Sequence, residues 1–391
     1  MKICIITHKK FYAKNKKLYS FGGYFSIIRH FIENPIDLTI IGTGNSNKIQ
    51  RHKFYTPNNK ELEIYTVKNT EHFIRKLLWQ ISLGIQLVKL YQIKRYNALI
   101  IQIPSLFKLP IPAFLARFFK IPLIISIHGN WEFKPAKRSF FNNLLNSINL
   151  IVLKISLKLC SGVITSNSEI GKRILSQGFI KPLKIIPYGA DLLQFNSSVE
   201  KITTFHPFIL YVGQISKAKG VNLLLHAFLK IKNQHLELNL VLIGKLHEHI
   251  LNVSQIKSEI GKRIHYLGYL SQKKVSKFMK SAEILILPSL SEGSPKVICE
   301  ALACGTPVIG SRIAGIEEII KDGFNGLLVT PNNIDELAKA IDTLLLNKEL
   351  IQQFSKNAIT IINENFNMEL NIKKYIDFCL KLKDLQPKFG K

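Results

Sequence analysis

Acidic side chains are scarce in this sequence. Its 391 residues include 26 Asp and Glu against 54 Lys and Arg, so the formal net charge is +28. The excess is concentrated in residues 1–200, which carry 29 basic and 9 acidic side chains. A charge of this sign favours an anionic partner, such as an anionic membrane surface or nucleic acid. A lysine-rich surface that is only solvated is the open alternative.

Cysteine pairs and long apolar runs are also missing. The five cysteines form no CxxC pair and no cluster with histidine, which argues against a metal site or disulfide framework and favours a reducing compartment. The longest uncharged stretches, 77–88 and 139–153, are shorter than the ~20 mostly apolar residues of a transmembrane helix. The N-terminal apolar run spans about five residues, too few for a signal peptide. We therefore expect a cytoplasmic protein that does not span a membrane.

Several motifs for nucleotides, metals and nucleic acids are absent. No Walker A ending GK[ST] occurs, and the run IIGTGN (40–45) lacks the third glycine of the dinucleotide motif because position 47 is Asn. No DxD motif is present, so the sequence implies no metal-bridged diphosphate. Helix-turn-helix, zinc-ligand and RRM-type signatures are missing too, which leaves net charge as the support for a nucleic-acid-binding protein.

Short apolar runs occur in two series and alternate with amphipathic helical patterns. The first series includes KICIIT (2–7), LTIIG (38–42), ALIIQI (98–103), LIISIH (123–128) and GVITS (162–166). The second includes FILYVG (208–213), LNLVLIG (238–244), IHYLG (264–268), EILILP (283–288) and PVIG (307–310). Strands interleaved with helices predict an α/β protein with two doubly wound, Rossmann-like domains of parallel sheet. The turn-rich segment 185–207 predicts the join.

Two such domains leave a cleft, and ligands of doubly wound sheets bind at the carboxyl ends of the strands. Lys219 follows one strand at a helix start, where free N–H groups and a positive dipole favour phosphate. His128 ends another strand and can donate a hydrogen bond or bind a proton near neutral pH. Gly22 and Gly23 precede a helical run and permit close approach of an anion. An ordinary turn or a solvated side chain explains each of these signals equally well.

The stretch SEGSPKVICEALACG (291–305) places two acids among small and apolar residues. Ser294 is the expected helix N-cap, and Pro295 is expected in the first helical turn. Glu292 then lies in the loop and Glu300 lies one to two turns into the helix. Paired acids can serve a glycosidase. A carboxylate also accepts hydrogen bonds from two hydroxyls at once, so acids beside a phosphate-binding helix start and a lysine indicate a nucleotide-sugar site.

At this point the chain resembles the retaining glycosyltransferases of family 4, the glycosyl transferases group 1, which have the two-domain GT-B fold. The resemblance rests on 284–329 with its E-x7-E pair, YVGQISKAKGVNLLLHAF (211–228), ITSNSEIGKRI (164–174) and IIPYGADLLQF (185–195). It is strong over the second domain and looser over the first. It implies two Rossmann-like domains whose parallel sheets face a cleft.

The resemblance also implies a role for each part of the chain. Residues 1–190 would form the acceptor-side domain, 191–365 the donor-binding domain, and 366–391 a helix that crosses back to the first domain. The residues implied as catalytic are His128, Lys219 and Glu292. The residues implied as donor-binding are Gly22, Gly23, Gln214, Lys219, Tyr269, Leu270, Glu292, Gly293, Ser294, Pro295 and Glu300.

Within this set the resemblance assigns each contact with the donor. Lys219 would bind the diphosphate, Glu292 the sugar hydroxyls and Glu300 the ribose. The family usually has arginine where this chain has Gln214, which donates a hydrogen bond but carries no charge. Either Lys217 or another cation compensates, or the donor binds more weakly.

The implied activity is that of a retaining, metal-independent hexosyltransferase whose co-substrate is a UDP- or GDP-linked sugar, with no further cofactor. The implied acceptor is a glycan or lipid-linked molecule of cell-surface polysaccharide or lipopolysaccharide biosynthesis. Alternatives are another GT-B sugar enzyme, such as a phosphorylase or an epimerase, and a basic nucleic-acid-binding protein.

Contact with a membrane is a separate expectation from the residues themselves. Aromatic and leucine residues beside lysines in 107–122 and 140–159 suit an anionic membrane surface. They predict peripheral contact with the inner face of the plasma membrane. Ordinary core helices with solvated lysines explain the same pattern.

Overall fold

The chain divides into two compact units. The computed structural model describes residues 1–14, 17–20, 24–44, 50–55, 61–68, 73–103, 110–129, 140–247 and 258–384. One unit comprises Met1–Ile186 and Ile372–Lys391, and the other comprises Pro187–Asn371. The sequence-based limits of the domains are residues 190 and 365.

The N-terminal unit is built around one sheet. Its strands are β1 (Lys2–Lys14), β2 (Lys17–Ser20), β3 (Asp37–Gly44), β4 (Gln50–Tyr55), β5 (Glu61–Lys68), β6 (Ala98–Ile103), β7 (Leu123–Ile127), β8 (Gly162–Thr165) and β9 (Leu183–Ile185). Its helices are α1 (Tyr24–Glu33), α2 (Phe73–Lys94), α3 (Ile111–Phe118), α4 (Phe140–Leu159) and α5 (Ser168–Leu175). The strand order is β4-β5-β3-β1-β6-β7-β8-β9, with β2 paired to β1.

Two antiparallel pairs, which the sequence did not indicate, join the predicted parallel strands in this sheet and make it mixed. The pairs β1–β2 and β4–β5 are antiparallel, whereas β1 pairs with β3 and β6 in parallel. Strand β1 extends past the apolar run 2–7 to Lys14, and β2 returns beside it. Charged residues interrupt both hairpins, and an antiparallel pair tolerates a polar face where a buried parallel strand does not.

Continuous apolar runs identified the parallel strands β1, β3, β6, β7 and β8 of this unit, but not β5 and β9, which also have parallel neighbours. All five residues of β7, LIISI, are buried. Helices α2 to α5 pack with these strands in one hydrophobic cluster, to which they contribute Leu87, Leu90, Ala113, Ala116, Leu153, Ile170 and Ile174. Strands covered by helices need apolar side chains along their length, which is why the pattern was readable.

The C-terminal unit has a second sheet. Its strands are β10 (Phe208–Val212), β11 (Asn239–Ile243), β12 (Ile264–Tyr266), β13 (Ile284–Leu287), β14 (Val308–Ser311) and β15 (Gly326–Val329). Its helices are α6 (Val221–Ile231), α7 (Gln272–Ser281), α8 (Lys296–Ala303), α9 (Ala314–Glu317), α10 (Ile334–Leu346) and α11 (Lys348–Asn365), with a 3-10 turn at Lys217–Lys219 before α6. Helix α12 (Met368–Asp384) follows, and from Ile372 it belongs to the N-terminal unit. There the ring of Tyr375 packs edge-on against the ring of Phe31, with 5.7 Å between the ring centroids.

The second sheet is parallel throughout its described strands. The strand order is β12-β11-β10-β13-β14-β15. The chain therefore moves one way across the sheet from β10 to β12 and the other way from β13 to β15. The order reverses between β10 and β13. The predicted α/β class with doubly wound sheets is confirmed.

Candidate functional site

The loops after β10 and β13 meet where the strand order reverses, which is where open α/β sheets bind ligands. The Leu290 N–H donates to the Ala218 carbonyl at 3.1 Å. Gly220 has φ 67°, and a Cβ at this position would lie 1.9 Å from the carbonyl oxygen of Pro288. Since any side chain would collide with that carbonyl, glycine is what allows the two loops to approach.

Lys219 and Glu292 come from these two loops and are in contact. Lys219 Nζ donates to Glu292 Oε1 at 2.7 Å, and Ser289 Oγ donates to the same oxygen at 2.8 Å. Ser289 is fully buried. The side chains of Lys219 and Glu292 are 29% and 14% exposed, so the ion pair rests on a buried hydroxyl and remains within reach of solvent.

Gln214 is held through its backbone by a buried tyrosine. Tyr211 Oη donates to the Gln214 carbonyl at 2.7 Å. Burial, and to a smaller extent the charge of Glu292, raises the pKa of Tyr211, so the phenol stays protonated and keeps donating at neutral pH. This hydrogen bond fixes the chain that leads into the 3-10 turn and Lys219.

Helix α8 begins one residue later than expected, at Lys296, and its N-cap is Pro295. The expectation that Ser294 caps this helix is wrong. The proline ring fixes φ and removes an N–H, and Pro295 keeps an extended backbone with φ −74° and ψ 103°, so helical geometry starts after it. No side chain among the described residues caps α8, and such a helix start suits an anion.

A glycine after β14 supports the loop after β13 that carries Glu292, which we call the acid loop. A Cβ on Gly315, in α9, would lie 2.5 Å from the carbonyl oxygens of both Glu292 and Gly293. A larger residue would push the acid loop away from the sheet edge. The position of Glu292 therefore depends on three successive strand ends, those of β10, β13 and β14.

Glu300 lies one turn into α8, and its side chain is 12% exposed. Its Oε1 is 3.8 Å from Lys296 Nζ. Burial raises the pKa of Glu300, the charge of Lys296 lowers it in part, and the charge of buried Asp191 raises it further. A carboxylate in this setting gains from any added hydrogen-bond donor.

The other predicted donor residues are spread along the same sheet edge. Gly293 and Ser294 are half-buried, and Pro295 is buried. Tyr269 and Leu270 follow β12, two strands from β10; Tyr269 is 65% exposed, and Leu270 packs partly against the core.

His128 belongs to the N-terminal unit and is not part of the Lys219–Glu292 contact. It follows β7, is half-buried, and has its Nε2 2.5 Å from Ser126 Oγ. Gly22 and Gly23 lie outside the described residues. The structure thus brings Lys219 and Glu292 together within the C-terminal unit.

Sequence reasoning missed four residues of this neighbourhood: Ser289, Lys296, Gly315 and Asp191. Ser289 and Gly315 follow parallel strands, so the rule that directs attention to strand ends could have found them. Lys296 precedes Glu300 by four residues, which is the helical spacing of an ion pair. Asp191 carried no signal, because it is distant from Glu300 in sequence.

The described part of the chain has neither a metal-ligand cluster nor a helix that could span a membrane. No group of three or more His, Cys, Asp or Glu side chains there is placed to hold a metal ion. No helix there is both long and apolar enough to cross a membrane. All five cysteines are buried and free.

Residues 194–360 match the family model of the glycosyl transferases group 1. The matched segment contains Lys219, Glu292 and Glu300. The resemblance found in the sequence is thereby confirmed for residues 194–360, which make up most of the C-terminal unit.

Two relatives show the extent of the similarity. The chain is 38% identical over 150 residues to an uncharacterized glycosyltransferase of Methanocaldococcus jannaschii. This match covers 38% of this chain and only 41% of the relative. The chain is 26% identical over 283 residues to the UDP-Gal:alpha-D-GlcNAc-diphosphoundecaprenol alpha-1,3-galactosyltransferase of Escherichia coli. This match covers 68% of this chain and 71% of the relative.

Solved structures resemble the chain over nearly its whole length. Sucrose-phosphate synthase from Thermosynechococcus elongatus superimposes with a TM-score of 0.74 at 17% identity. The alignment covers 97% of this chain and 98% of the synthase chain. Anabaena HepE in complex with UDP-glucose has a TM-score of 0.68 at 17% identity and covers 97% of this chain and 100% of its own. At this identity the likeness concerns the fold, and the predicted GT-B class is confirmed.

Proposed function

We propose that this chain transfers a hexose-type sugar from a nucleotide-diphosphate donor with retention of anomeric configuration. One observation carries the proposal. Lys219 and Glu292, which are distant in sequence, meet at 2.7 Å where the strand order reverses in a unit whose residues 194–360 match the family model of the glycosyl transferases group 1. This is the position at which doubly wound sheets hold nucleotides.

The Lys219–Glu292 pair supplies both kinds of group that a nucleotide sugar needs. The Glu292 carboxylate accepts hydrogen bonds from sugar hydroxyls. In the complex, Lys219 leaves the Glu292 carboxylate and binds the donor diphosphate. The first turn of α8 adds N–H donors for the same anion. Since Gln214 brings no charge, Lys219 is the main cation for the leaving diphosphate in this proposal.

Glu300 is proposed to hold the ribose. Its side chain is 12% exposed and has one cation at 3.8 Å, Lys296, so two ribose hydroxyls would satisfy oxygens that are otherwise costly to bury. Tyr269 and Leu270 are proposed to lie near the base. Gly293, Ser294 and Pro295 are proposed to line the sugar pocket with their backbone.

The reaction proposed is a same-face substitution at the anomeric carbon. The bond from that carbon to the diphosphate oxygen breaks, and a bond to the acceptor oxygen forms on the same face. The departing phosphate takes the acceptor's proton. The protein contributes positioning and stabilisation of the leaving charge, chiefly through Lys219. His128, Gly22 and Gly23 of the N-terminal unit are proposed to serve the transferring sugar and the donor phosphate.

A uridine donor and a lipid-linked acceptor are the first choices. HepE was solved with UDP-glucose, and the Escherichia coli relative is named for UDP-Gal and a diphosphoundecaprenol acceptor. We extend both to this chain, with a guanosine donor as the alternative. The acceptor is proposed to belong to cell-surface polysaccharide or lipopolysaccharide biosynthesis. The absence of a DxD motif supports transfer without a metal ion.

A thermal-shift panel tests this function. UDP, GDP, ADP and their hexose derivatives are each added to the full chain, with and without a chelator. A ligand that binds the folded state raises the melting temperature by mass action, so UDP and a UDP-hexose should raise it, unaffected by the chelator. Lys219→Met should abolish the shift, whereas its neighbour variant Lys217→Met should keep most of it.

The same experiment has outcomes that contradict the proposal. A chain that no nucleotide stabilises, or that Lys219→Met leaves fully responsive, does not use this site for a donor. Sugar release that requires orthophosphate and no nucleotide would assign the fold to a phosphorylase instead. NMR of the product's anomeric proton tests retention separately.

A further inference from the structure

Helices α3 to α5 expose large apolar side chains on the side that faces away from the core. These helices share one face of the N-terminal sheet, because Ala113, Leu153 and Ile174 pack in one cluster with its strands. The exposed residues are Phe114 (55%), Phe118 (78%), Ile151 (56%), Leu175 (50%) and, just after α5, Ile180 (94%). We call these five residues and the surface between them the outer face.

A groove lies within the outer face. It has a volume of about 860 Å³ and runs between α4, α5 and the segment that follows α5. Leu153, Leu157, Ile174 and Phe179 contribute an apolar lining. Its three charged lining residues are all lysines: Lys154, Lys158 and Lys181. The groove is therefore amphipathic, with an apolar lining and lysines at its edge.

The charge around the outer face is almost entirely positive. The described residues 110–129 and 140–186 contain eight Lys and Arg and one acid, Glu169, which pairs with Arg173 one turn along α5. On α4 the exposed Lys154 and Lys158 follow Ile151 at three and seven residues, the spacing of one helical stripe. Apolar and cationic side chains therefore share the same stripe.

One of the groove lysines is already fixed in place. Lys181 Nζ donates to the carbonyls of Lys158 and Cys160 at 2.5 and 2.6 Å. This cation stabilises the carboxyl end of α4 and ties the segment after α5 to that helix end. These two hydrogen bonds hold one wall of the groove in place, and the exposed Ile180 directly precedes Lys181 in the sequence.

We propose that the outer face docks on an anionic membrane surface. The phenylalanine and isoleucine side chains enter the interface, and the exposed Lys154 and Lys158 contact lipid phosphates. A second copy of the chain is disfavoured as occupant, because the lysines around the groove of one copy would face those of the other and repel them. The proposal uses residues of the N-terminal unit alone and is independent of the proposed function.

The structure extends the surface expected from the sequence. The two stretches 107–122 and 140–159 were expected to contact a membrane; residues 107–109 lie outside the described residues. Helices α3 and α4 supply the exposed side chains of those stretches. Leu175, Ile180 and Lys181 come from α5 and the segment after it, which the sequence pattern did not single out.

Vesicle flotation with the full chain tests the docking. Vesicles of phosphatidylcholine alone are compared with vesicles that also contain phosphatidylglycerol, at low and high salt, without nucleotide. The parent chain should float with the anionic vesicles only, and high salt should release it. Absence of binding to anionic vesicles at low salt overturns the proposal, whatever the outcome of donor binding.

Matched variants locate the contact. Lys154→Glu with Lys158→Glu should weaken binding by at least about tenfold, because each lysine near an anionic surface contributes to attraction. Lys273→Glu with Lys274→Glu, on exposed positions of α7, changes net charge equally and should stay within about twofold. Equal losses in the two double variants would mean that binding follows net charge and would overturn the assignment to the outer face.

A second pair of variants tests the apolar part. Ile180→Ser should weaken binding by about fivefold, since it removes an apolar side chain from the interface. Leu236→Ser, at a position 77% exposed in the C-terminal unit, should leave binding unchanged. Both positions are exposed, so folding is preserved, and unchanged melting temperatures verify it. A dimer in lipid-free solution that Ile180→Ser dissolves would assign the outer face to self-association and overturn the proposal.

Discussion

Glu63 in the N-terminal unit and Glu292 in the C-terminal unit are both paired with lysine, yet their surroundings differ. The Glu63 side chain is 3% exposed, its Oε2 lies 3.2 Å from both Lys94 Nζ and Tyr65 Oη, and Arg51 binds its Oε1. Burial alone would raise the pKa of Glu63, but the hydrogen bonds from Arg51 and Lys94 outweigh it and lower the pKa to about 2. This carboxylate is fully satisfied inside the protein.

Glu292 has fewer donors and a different place in its sheet. Lys219 and Ser289 donate to one of its oxygens, and the pair is partly exposed. It follows β13, at the carboxyl end of parallel strands, whereas Glu63 lies near the start of β5. An ion pair whose carboxylate is buried and bound by several donors stabilises structure, whereas one left half open at a strand end can exchange its partners for a ligand.

The largest effect is expected from Glu63→Gln. Removing the charge leaves Lys94 and Arg51 without their carboxylate, so the free energy of unfolding should fall by about 3–5 kcal/mol at neutral pH. Glu200→Gln, whose carboxylate pairs with Lys277 and is 76% exposed, is the control and should leave the free energy of unfolding nearly unchanged. Urea titration of both variants measures the difference.

The pH dependence of this contribution has a fixed sign. Because folding lowers the pKa of Glu63, the stabilisation is present above the ordinary pKa of a glutamate. It is lost as the pH falls towards about 2. The parent and Glu63→Gln should therefore converge in stability in acid. A constant difference across the whole acid range would refute the structural role assigned to Glu63.

The next largest effect is expected from Gly220→Ala. The added Cβ would meet the Pro288 carbonyl at 1.9 Å and would also sit at positive φ, so we expect a loss of about 3 kcal/mol. Gly268→Ala is a closely matched control, because its φ is 65° and its Cβ would meet nothing within 4 Å. The control should lose about 1 kcal/mol from backbone strain alone. Similar losses in urea unfolding would show that the two loops do not need this contact.

The smallest effect is expected from Glu300→Gln, with the opposite sign. Burial raises the pKa of Glu300, so its ionisation at neutral pH disfavours the folded state. The neutral variant should be more stable, by less than about 1 kcal/mol because Lys296 loses its partner. The gain should vanish below the ordinary pKa of a glutamate. A destabilised variant at neutral pH would show that the pair with Lys296 outweighs burial.

Most of the parallel strands could be predicted from the sequence, and the hairpins could not. Strand β13 has only apolar side chains, and strands β6 and β7 each have one polar residue among apolar ones. Such runs arise because both faces of a parallel sheet are covered. Strands β4 and β5 pair in antiparallel and carry charged residues such as Lys53 and Glu61, so no apolar run marks them. For the same reason the apolar run marked only residues 2–7 of β1, because lysines follow that run directly.

For the site, the residue types were predictable and their contacts were not. Glu292 and Lys219 were found because each follows an apolar run, where parallel sheets present loops. Their 2.7 Å contact joins residues 73 positions apart, and its closeness depends on Gly220 and Gly315, whose packing no local pattern reveals. Ser289 was overlooked for the same reason, because a hydroxyl after a strand has meaning only once its partner is known.

Calorimetric titration of UDP and of UDP-glucose into the parent chain, Glu292→Gln and Lys219→Met tests the donor assignment most directly. Glu292→Gln should bind UDP within about threefold of the parent but lose the additional affinity that the sugar provides. Lys219→Met should weaken both ligands by at least about tenfold, because it removes the cation from the diphosphate. Equal affinities of all three proteins for both ligands would contradict the account.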